Sequence, residues 1–219
     1  MDVSEYILNE IKPLHLRNSV EEAKHLFDQF PFTHYPVIEN EKLIGSFAED
    51  DVHTSDKSEE ELLNYYHFLD LYYATQKDSL LELLLIFSTN NTNIVPVVDE
   101  ENNYLGYYDL CDILDVFTSS PFFSEDSTSL IVRKLERDFS MSEIAQIVES
   151  NGAQLLGSFL SKRESEFVEV SLNVKSLDIN EVMHTFRRYN YNIISAIDND
   201  EYMQDLKGRS DYLKKYLEL

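Results

Sequence analysis

Two stretches of the chain are copies of one pattern. Residues 19–52, SVEEAKHLFDQFPFTHYPVIENEKLIGSFAEDDV, lie over residues 79–113, SLLELLLIFSTNNTNIVPVVDEENNYLGYYDLCDI, at an offset of 60. Ser19 falls on Ser79, Glu22 on Glu82, Phe27 on Phe87, and Pro36-Val37 on Pro96-Val97. One extra residue enters after Asp99. Beyond it, Gly45 falls on Gly106, Phe47 on Tyr108, Asp51 on Asp112 and Val52 on Ile113. A chain that repeats at such a period builds one supersecondary unit more than once and packs the copies together.

Both copies read alike. Ser-x-x-Glu is a capping box: the hydroxyl accepts a backbone N–H of the first turn, and the Glu reaches back to the cap. Helices should therefore begin at Ser19 and Ser79. Val20, Ala23, Leu26 and Phe27 make the apolar stripe of the first. Two short β runs follow in each copy, at 34–38 and 43–47 and again at 94–98 and 104–108, around polar loops at 39–42 and 99–103. Acid-rich helices come next, at 49–53 and 109–117. With a short leading strand, each copy is β-α-β-β-α. Residues 58–69 read as a connecting helix.

The last third changes pattern. Residues 130–135 are a β run, and Ser140-Met141-Ser142-Glu143 is a third capping box opening a helix. Asn151-Gly152 ends that helix, with Gly suited to the left-handed position after the last turn. Strands at 154–160 and 167–174, a helix from Asp178 to about Tyr189, and a strand at 191–197 complete β-α-β-β-α-β, the ferredoxin-like order. Residues 205–219 look helical.

Charge narrows the function. The chain has 219 residues, with 18 Lys+Arg against 41 Asp+Glu, a net of −23. Nucleic acid and anionic membranes both call for a basic footprint, so neither is an expected partner. The first 125 residues hold 25 acids and 6 bases, a net of −19. No G-x-G-x-x-G is present, and the P-loop-like spacing of Gly152 and Gly157 lacks its lysine. One cysteine excludes an internal disulfide and a zinc–thiolate cluster. The six histidines form no metal-ligand pair at helical spacing, so no metal site is expected. Cys111 reads as a small core residue and His34 as a packed one. The acid runs at 99–103 and 198–200 lack the glycine and the twelfth-position glutamate of a calcium loop. No catalytic set stands out, and the N-terminal residues lack a signal-peptide pattern, which makes a cytoplasmic location the default.

The two copies resemble a tandem CBS pair, or Bateman module. The residues that carry this are the Ser-x-x-Glu starts, the strands Tyr35-Pro36-Val37-Ile38 and Val95-Pro96-Val97-Val98, and the endings GSFAEDD and GYYDLCD. The remainder resembles an ACT domain, and the combination is similar to bacterial acetoin-utilisation-type CBS–ACT proteins. The resemblance implies a non-enzymatic regulatory protein that binds an adenosyl compound between its repeats and acts as a homodimer, with an unidentified effector protein as a further partner. It also implies that Asp51 and Asp112 accept from ribose hydroxyls, with Pro36 and Pro96 lining the clefts. Where the family carries Thr or Ser near the phosphate, this chain has Ala48 and Asp109. Two like charges about 7 Å apart repel by about 2 kcal/mol at an effective dielectric of about 20. The expected ligand is thus adenosine, AMP or S-adenosylmethionine rather than a triphosphate, and no cofactor is required. The alternative is a structural dimerisation protein with degenerate clefts.

In the ACT-like part, the family's D-x-x-G opening becomes Asp138-Phe139-Ser140-Met141, while Asn151-Gly152 keeps the family's turn. Ser140, Met141, Asn151 and Gly152 mark the two ends of that first helix, and sheet-to-sheet pairing is the expected role. The expected fold is α+β, divided into a first CBS-like repeat (1–57), a connecting helix and second repeat (58–125), an ACT-like domain (126–200) and a helical tail (201–219).

Overall fold

A computed structural model describes residues 3–54, 58–123 and 126–194. The chain forms two compact units, Met1–Thr118 and Ser119–Leu219. Residues 195–219, which include the end of the expected last strand and the expected helical tail, lie outside the described residues.

In the first unit the repeat is a structural repeat. Helices α1 (Val20–Gln29) and α3 (Leu80–Asn90) both open with complete capping boxes. Ser19 Oγ accepts from Glu22 N at 3.1 Å, and the Glu22 carboxylate accepts from Ser19 N at 2.9 Å. Val20, Ala23 and Phe27 are buried on α1, and Leu80, Leu83 and Phe87 on α3. Hairpin β1 (His34–Glu39) and β2 (Lys42–Ala48) turns through Asn40 and Glu41, both at positive φ, as a two-residue type I′ turn demands. Leading strand β3 (Ala74–Thr75) runs parallel to β4 (Ile94–Val98), which pairs antiparallel with β5 (Tyr104–Asp109). In the first copy the leading strand shrinks to one parallel bridge, Leu14 to Val37. Leu16 N, next in line to extend the ladder, donates instead to the Glu39 carboxylate at 3.1 Å.

An approximate twofold relates the copies. Leu43 N donates to Asn102 O at 3.3 Å, and its counterpart Tyr104 N donates to Glu41 O at 2.8 Å. Thr33 O accepts from Glu49 N at 2.9 Å, and its counterpart Asn93 O accepts from Leu110 N at 3.0 Å. These two bonds seat the starts of α2 (Glu49–His53) and α4 (Leu110–Thr118). Gly45 and Gly106 sit at φ +150° and +149°, where the segment leading into a repeat crosses closely. A Cβ on Gly45 would meet Asp70 O at 3.0 Å, and one on Gly106 would meet Leu8 O at 2.2 Å.

The connecting segment departs from expectation. Residues 62–68 form a 3-10 helix, not an α-helix. The carbonyls of Ser58 and Glu60 accept from Glu21 N and Val20 N, which are orphan donors at the start of α1. Leu62 N and Leu63 N donate to Asn18 O and Leu16 O. The segment's backbone is committed to the first repeat, so no α-helical ladder forms there.

The second unit holds β6 (Thr128–Leu135), α5 (Met141–Ser150), β7 (Gln154–Arg163), β8 (Phe167–Lys175), α6 (Ile179–Arg188) and β9 (Asn192–Ile193). The sheet order β7-β8-β6-β9, antiparallel throughout, is the ferredoxin-like one. Leu130, Val132, Val168, Val170 and Leu172 form its core with Ile144, Ile147, Val182 and Phe186 from the helices. The third capping box is only half made. Ser140 Oγ accepts from Glu143 N at 3.4 Å, but the Glu143 carboxylate turns to Lys134 Nζ and to the Tyr191 hydroxyl, 2.8 Å away. A buried strand lysine is the stronger partner for that carboxylate. Gly152 takes φ +69° after α5, as the helix-ending turn requires.

Candidate functional site: two unequal clefts

Strand register decides which side chains share a face. His34 lies opposite Ala48, and Pro36 opposite Ser46. Opposed residues of an antiparallel pair point to one side, so these four line one face of the first hairpin. Ile94 opposite Asp109 and Pro96 opposite Tyr107 do the same in the second. Thus the expected residues Pro36 and Ala48 stand together, and so do Pro96 and Asp109. Asp51 and Asp112 follow in the first turns of α2 and α4.

The two helix starts differ. Ala48 caps α2 with no side-chain bond. Asp109 Oδ1 accepts from Cys111 N at 2.7 Å, so its carboxylate caps α4. Burial lifts the Asp112 carboxyl above its ordinary range, and Asp109, Asp115 and Glu10 add to that lift. Cys111, expected in the core, is exposed, because α4 turns Ile113 and Val116 inward instead. The charge of Asp109 pushes its thiol pKa up, the reverse of an activated nucleophile.

Around Asp51 the cleft is polar. His34 is buried, with Nδ1 3.0 Å from Thr33 Oγ1 and Nε2 3.6 Å from Asp70 Oδ2. The Tyr72 ring stands edge-on to the imidazole at 5.7 Å, and its hydroxyl donates to Thr92 Oγ1 at 3.0 Å. Burial pushes the Tyr72 phenol up to about 12. The Ser46 hydroxyl, almost fully buried, makes no well-formed hydrogen bond among the described residues and interacts with the Tyr72 phenol beside it. Asp51 also touches an apolar cavity of about 10 Å³ walled by Val20, Phe47, Leu62, Tyr65 and Phe68, which none of His34, Ser46, Tyr72 and Thr92 lines. That is room for about one water molecule.

Around Asp112 two of the three matching places are aromatic and the third is aliphatic. Ile94 stands for His34, Tyr107 for Ser46 and Phe32 for Thr92. Phe32 packs edge-on against Tyr107 at 5.7 Å and Tyr35 at 6.2 Å, and Tyr35 meets Phe27 at 5.6 Å. This aromatic cluster occupies the places that Ser46 and Thr92 take in the first copy.

His34, Ser46, Asp70, Tyr72 and Thr92 were not singled out from the sequence as site residues. The alternation along β1 and β2 was a usable signal, since it sets His34 and Ser46 beside Pro36 and Ala48. In the second unit, the residues read from the ACT resemblance stand at opposite ends of α5. Ser140 and Met141 open it, and Asn151 and Gly152 close it, about 15 Å away at 1.5 Å per residue. Asn151 Oδ1 accepts from Thr185 Oγ1 at 3.1 Å, tying α5 to α6. Among the described residues, no group of three His, Cys, Asp or Glu side chains could hold a metal ion. Among them, too, no helix is long and apolar enough to cross a membrane.

Two β-α-β-β repeats joined about a twofold, each with an acid at the start of its second helix, define a paired-repeat module. Residues 69–119 match the CBS domain family, and the first repeat copies those elements, so the first unit is a pair of CBS-type repeats. An uncharacterized protein of Methanocaldococcus jannaschii is 28% identical over 112 residues, 51% of this chain and 42% of its own length. The chain thus spans less than half of that relative. A CBS domain pair/ACT domain protein of Thermotoga maritima is similar in structure over 53% of this chain and 96% of its own, at 21% identity and TM-score 0.47. The CBS domains of a Streptococcus pneumoniae transcriptional regulator match over 52% and 98%, at 15% identity and TM-score 0.46. CBS pairs are generally regulatory, ligand-sensing modules.

Proposed function

We propose that the first unit is a non-enzymatic sensor whose Asp51 cleft takes an adenosyl compound without net negative charge, adenosine or S-adenosylmethionine before AMP. One observation carries this reading: His34, which feels the charge of Asp51, stands with Ser46, Tyr72 and Thr92 where the equivalent places of the second repeat are packed with aromatic rings. Asp51 would accept from the ribose hydroxyls, and the buried Ser46 hydroxyl would gain a well-formed hydrogen bond. The carboxylates of Asp51 and Asp70 would favour a cation and oppose a phosphate chain. A ligand held more tightly by one arrangement of the repeats would shift the population toward it.

The sensor would act as a homodimer through α3 and α4. Leu81, Leu85 and Leu114 are exposed there, where the first repeat has Glu21, His25 and His53. The ferredoxin-like unit, read as ACT-type, would pair sheet to sheet and pass the change to an effector protein. Native mass spectrometry of freshly purified protein tests the reading. It should show a dimer carrying an adenosyl-sized mass; a ligand-free monomer would count against both parts.

A second reading has its own observation. The cavity at Asp51 is only about 10 Å³, which suits a structural dimerisation protein with degenerate clefts. A thermal-shift screen separates the two, since a ligand that binds only the native state raises the melting point.

A further inference from the structure

His34 sits on the seam between the repeats, and its two ring nitrogens face different neighbours. It is 8% exposed. Thr33, against Nδ1, and Tyr72, against the ring face, both reach into the second repeat, at Asn93 and Thr92.

The hydrogen bonds around Thr33 bear on the tautomer. Asn93 Nδ2 donates to Pro31 O at 2.6 Å, which turns Asn93 Oδ1 toward Thr33. That oxygen accepts from Thr33 N at 2.9 Å and from the Thr33 hydroxyl at 3.1 Å. The Thr33 hydroxyl also stands 3.5 Å from Thr92 Oγ1. With its one hydrogen given to Asn93 Oδ1, Thr33 Oγ1 accepts from Asn93 N at 3.1 Å and from His34 Nδ1 at 3.0 Å. In that arrangement Nδ1 carries the hydrogen of the neutral ring, and the bare Nε2 and the Asp70 carboxylate, 3.6 Å apart, are both acceptors.

We propose that the neutral His34 ring carries its hydrogen on Nδ1 and that the residue is a proton-operated latch between the first repeat and the linker that leaves it: a proton taken up at Nε2 turns an acceptor facing an acceptor into a charge-assisted hydrogen bond to Asp70. The closed latch ties β1 of the first repeat to the linker that enters the second. The Asp70 backbone is already anchored, exchanging hydrogen bonds with Ser46 at 2.8 and 3.0 Å. Its side chain is 58% exposed and has room to rotate. The titratable groups facing the ring are Asp70 from the linker, Asp51 from α2 and Tyr72. Burial draws the His34 pKa down, and the charges of Asp70 and Asp51 work against that. The latch accordingly closes below the ordinary histidine range, at acidic pH. It belongs to the ligand-free protein, so its failure and that of the ligand reading are separate results.

Long-range ¹H–¹⁵N NMR of the full chain, from about pH 8 to about pH 5, tests the proposal. His34 should carry its hydrogen on Nδ1 at the upper end and titrate at Nε2, and the Asp70 and Asn93 amides should move with that titration. Asp70→Asn should lower the midpoint by about one unit. Thr33→Val should shift the neutral ring toward the Nε2–H form. An Nε2–H ring at the upper pH in the unaltered chain would overturn the proposal, and so would a midpoint indifferent to Asp70→Asn.

Discussion

The Asp51 and Asp112 clefts occupy equivalent places in one backbone, yet their chemistry has diverged. Three exchanges make the difference: His34 against Ile94, Ser46 against Tyr107, and Thr92 against Phe32. The first cleft keeps hydroxyls and an imidazole among acids. The second carries the Phe32–Tyr107–Tyr35 cluster and is ringed by Asp109, Asp112, Asp115 and Glu10. A duplicated fold thus frees one site to become packing while the other keeps polar groups that packing alone would not favour, since a buried hydroxyl without a well-formed hydrogen bond costs up to about 1–3 kcal/mol.

The comparison can be broken most strongly at the aromatic cluster. Phe32→Ala should destabilise the first unit by about 3 kcal/mol or more, read by denaturant unfolding. Its counterpart Thr92→Ala, which removes one hydrogen-bonding hydroxyl, should cost about 1 kcal/mol. Equal losses would mean that the clefts are packed alike. The crossing glycines give a second, somewhat smaller contrast. Gly106→Ala drives a Cβ against Leu8 O at 2.2 Å, while Gly45→Ala meets Asp70 O at 3.0 Å. Both take φ that L-residues avoid, so both should destabilise, Gly106→Ala by about 3 kcal/mol and Gly45→Ala by less.

Acid titration separates the clefts with smaller shifts. The folded pKa of His34 lies below its ordinary value of 6.5. The unfolded chain therefore binds the proton first, and stability from this group is lost as pH falls through 6.5 toward the folded pKa. Asp70→Asn should deepen that loss, seen as a larger fall in Tm between about pH 7 and about pH 5. Asp112 runs the other way. Its folded pKa is raised, so its contribution is unfavourable once both states are ionised and is relieved as pH falls toward the ordinary carboxylate range. Asp112→Asn should raise Tm slightly at neutral pH, and a lower Tm would remove the picture of a crowded acid site.

Much of the fold was legible because it rests on local chemistry. Ser19 and Ser79 announce their helices through capping boxes that need only four residues, and the hairpins declare themselves by alternation. What was not legible depended on distant partners. Residues 62–68 carry helix-like spacing, but the segment cannot show in sequence that its carbonyls and amides are claimed by residues 16–21. Glu143 looks like a cap closer until Lys134 and Tyr191 arrive from other strands. At the site, Asp51 and Asp112 came from the repeat, whereas Asp70 and Tyr72 come from a linker with no motif. That Phe32 and Tyr107 pack together follows from contacts across 75 positions of chain, which no local pattern records.

The ligand assignment meets its most direct test in calorimetric titration of S-adenosylmethionine and ATP, without divalent cation, into the unaltered chain and into Asp51→Asn and Asp112→Asn. The account predicts binding of S-adenosylmethionine that Asp51→Asn abolishes and Asp112→Asn leaves intact, with no tight binding of ATP. Tight ATP binding, or binding lost in Asp112→Asn and kept in Asp51→Asn, would contradict it.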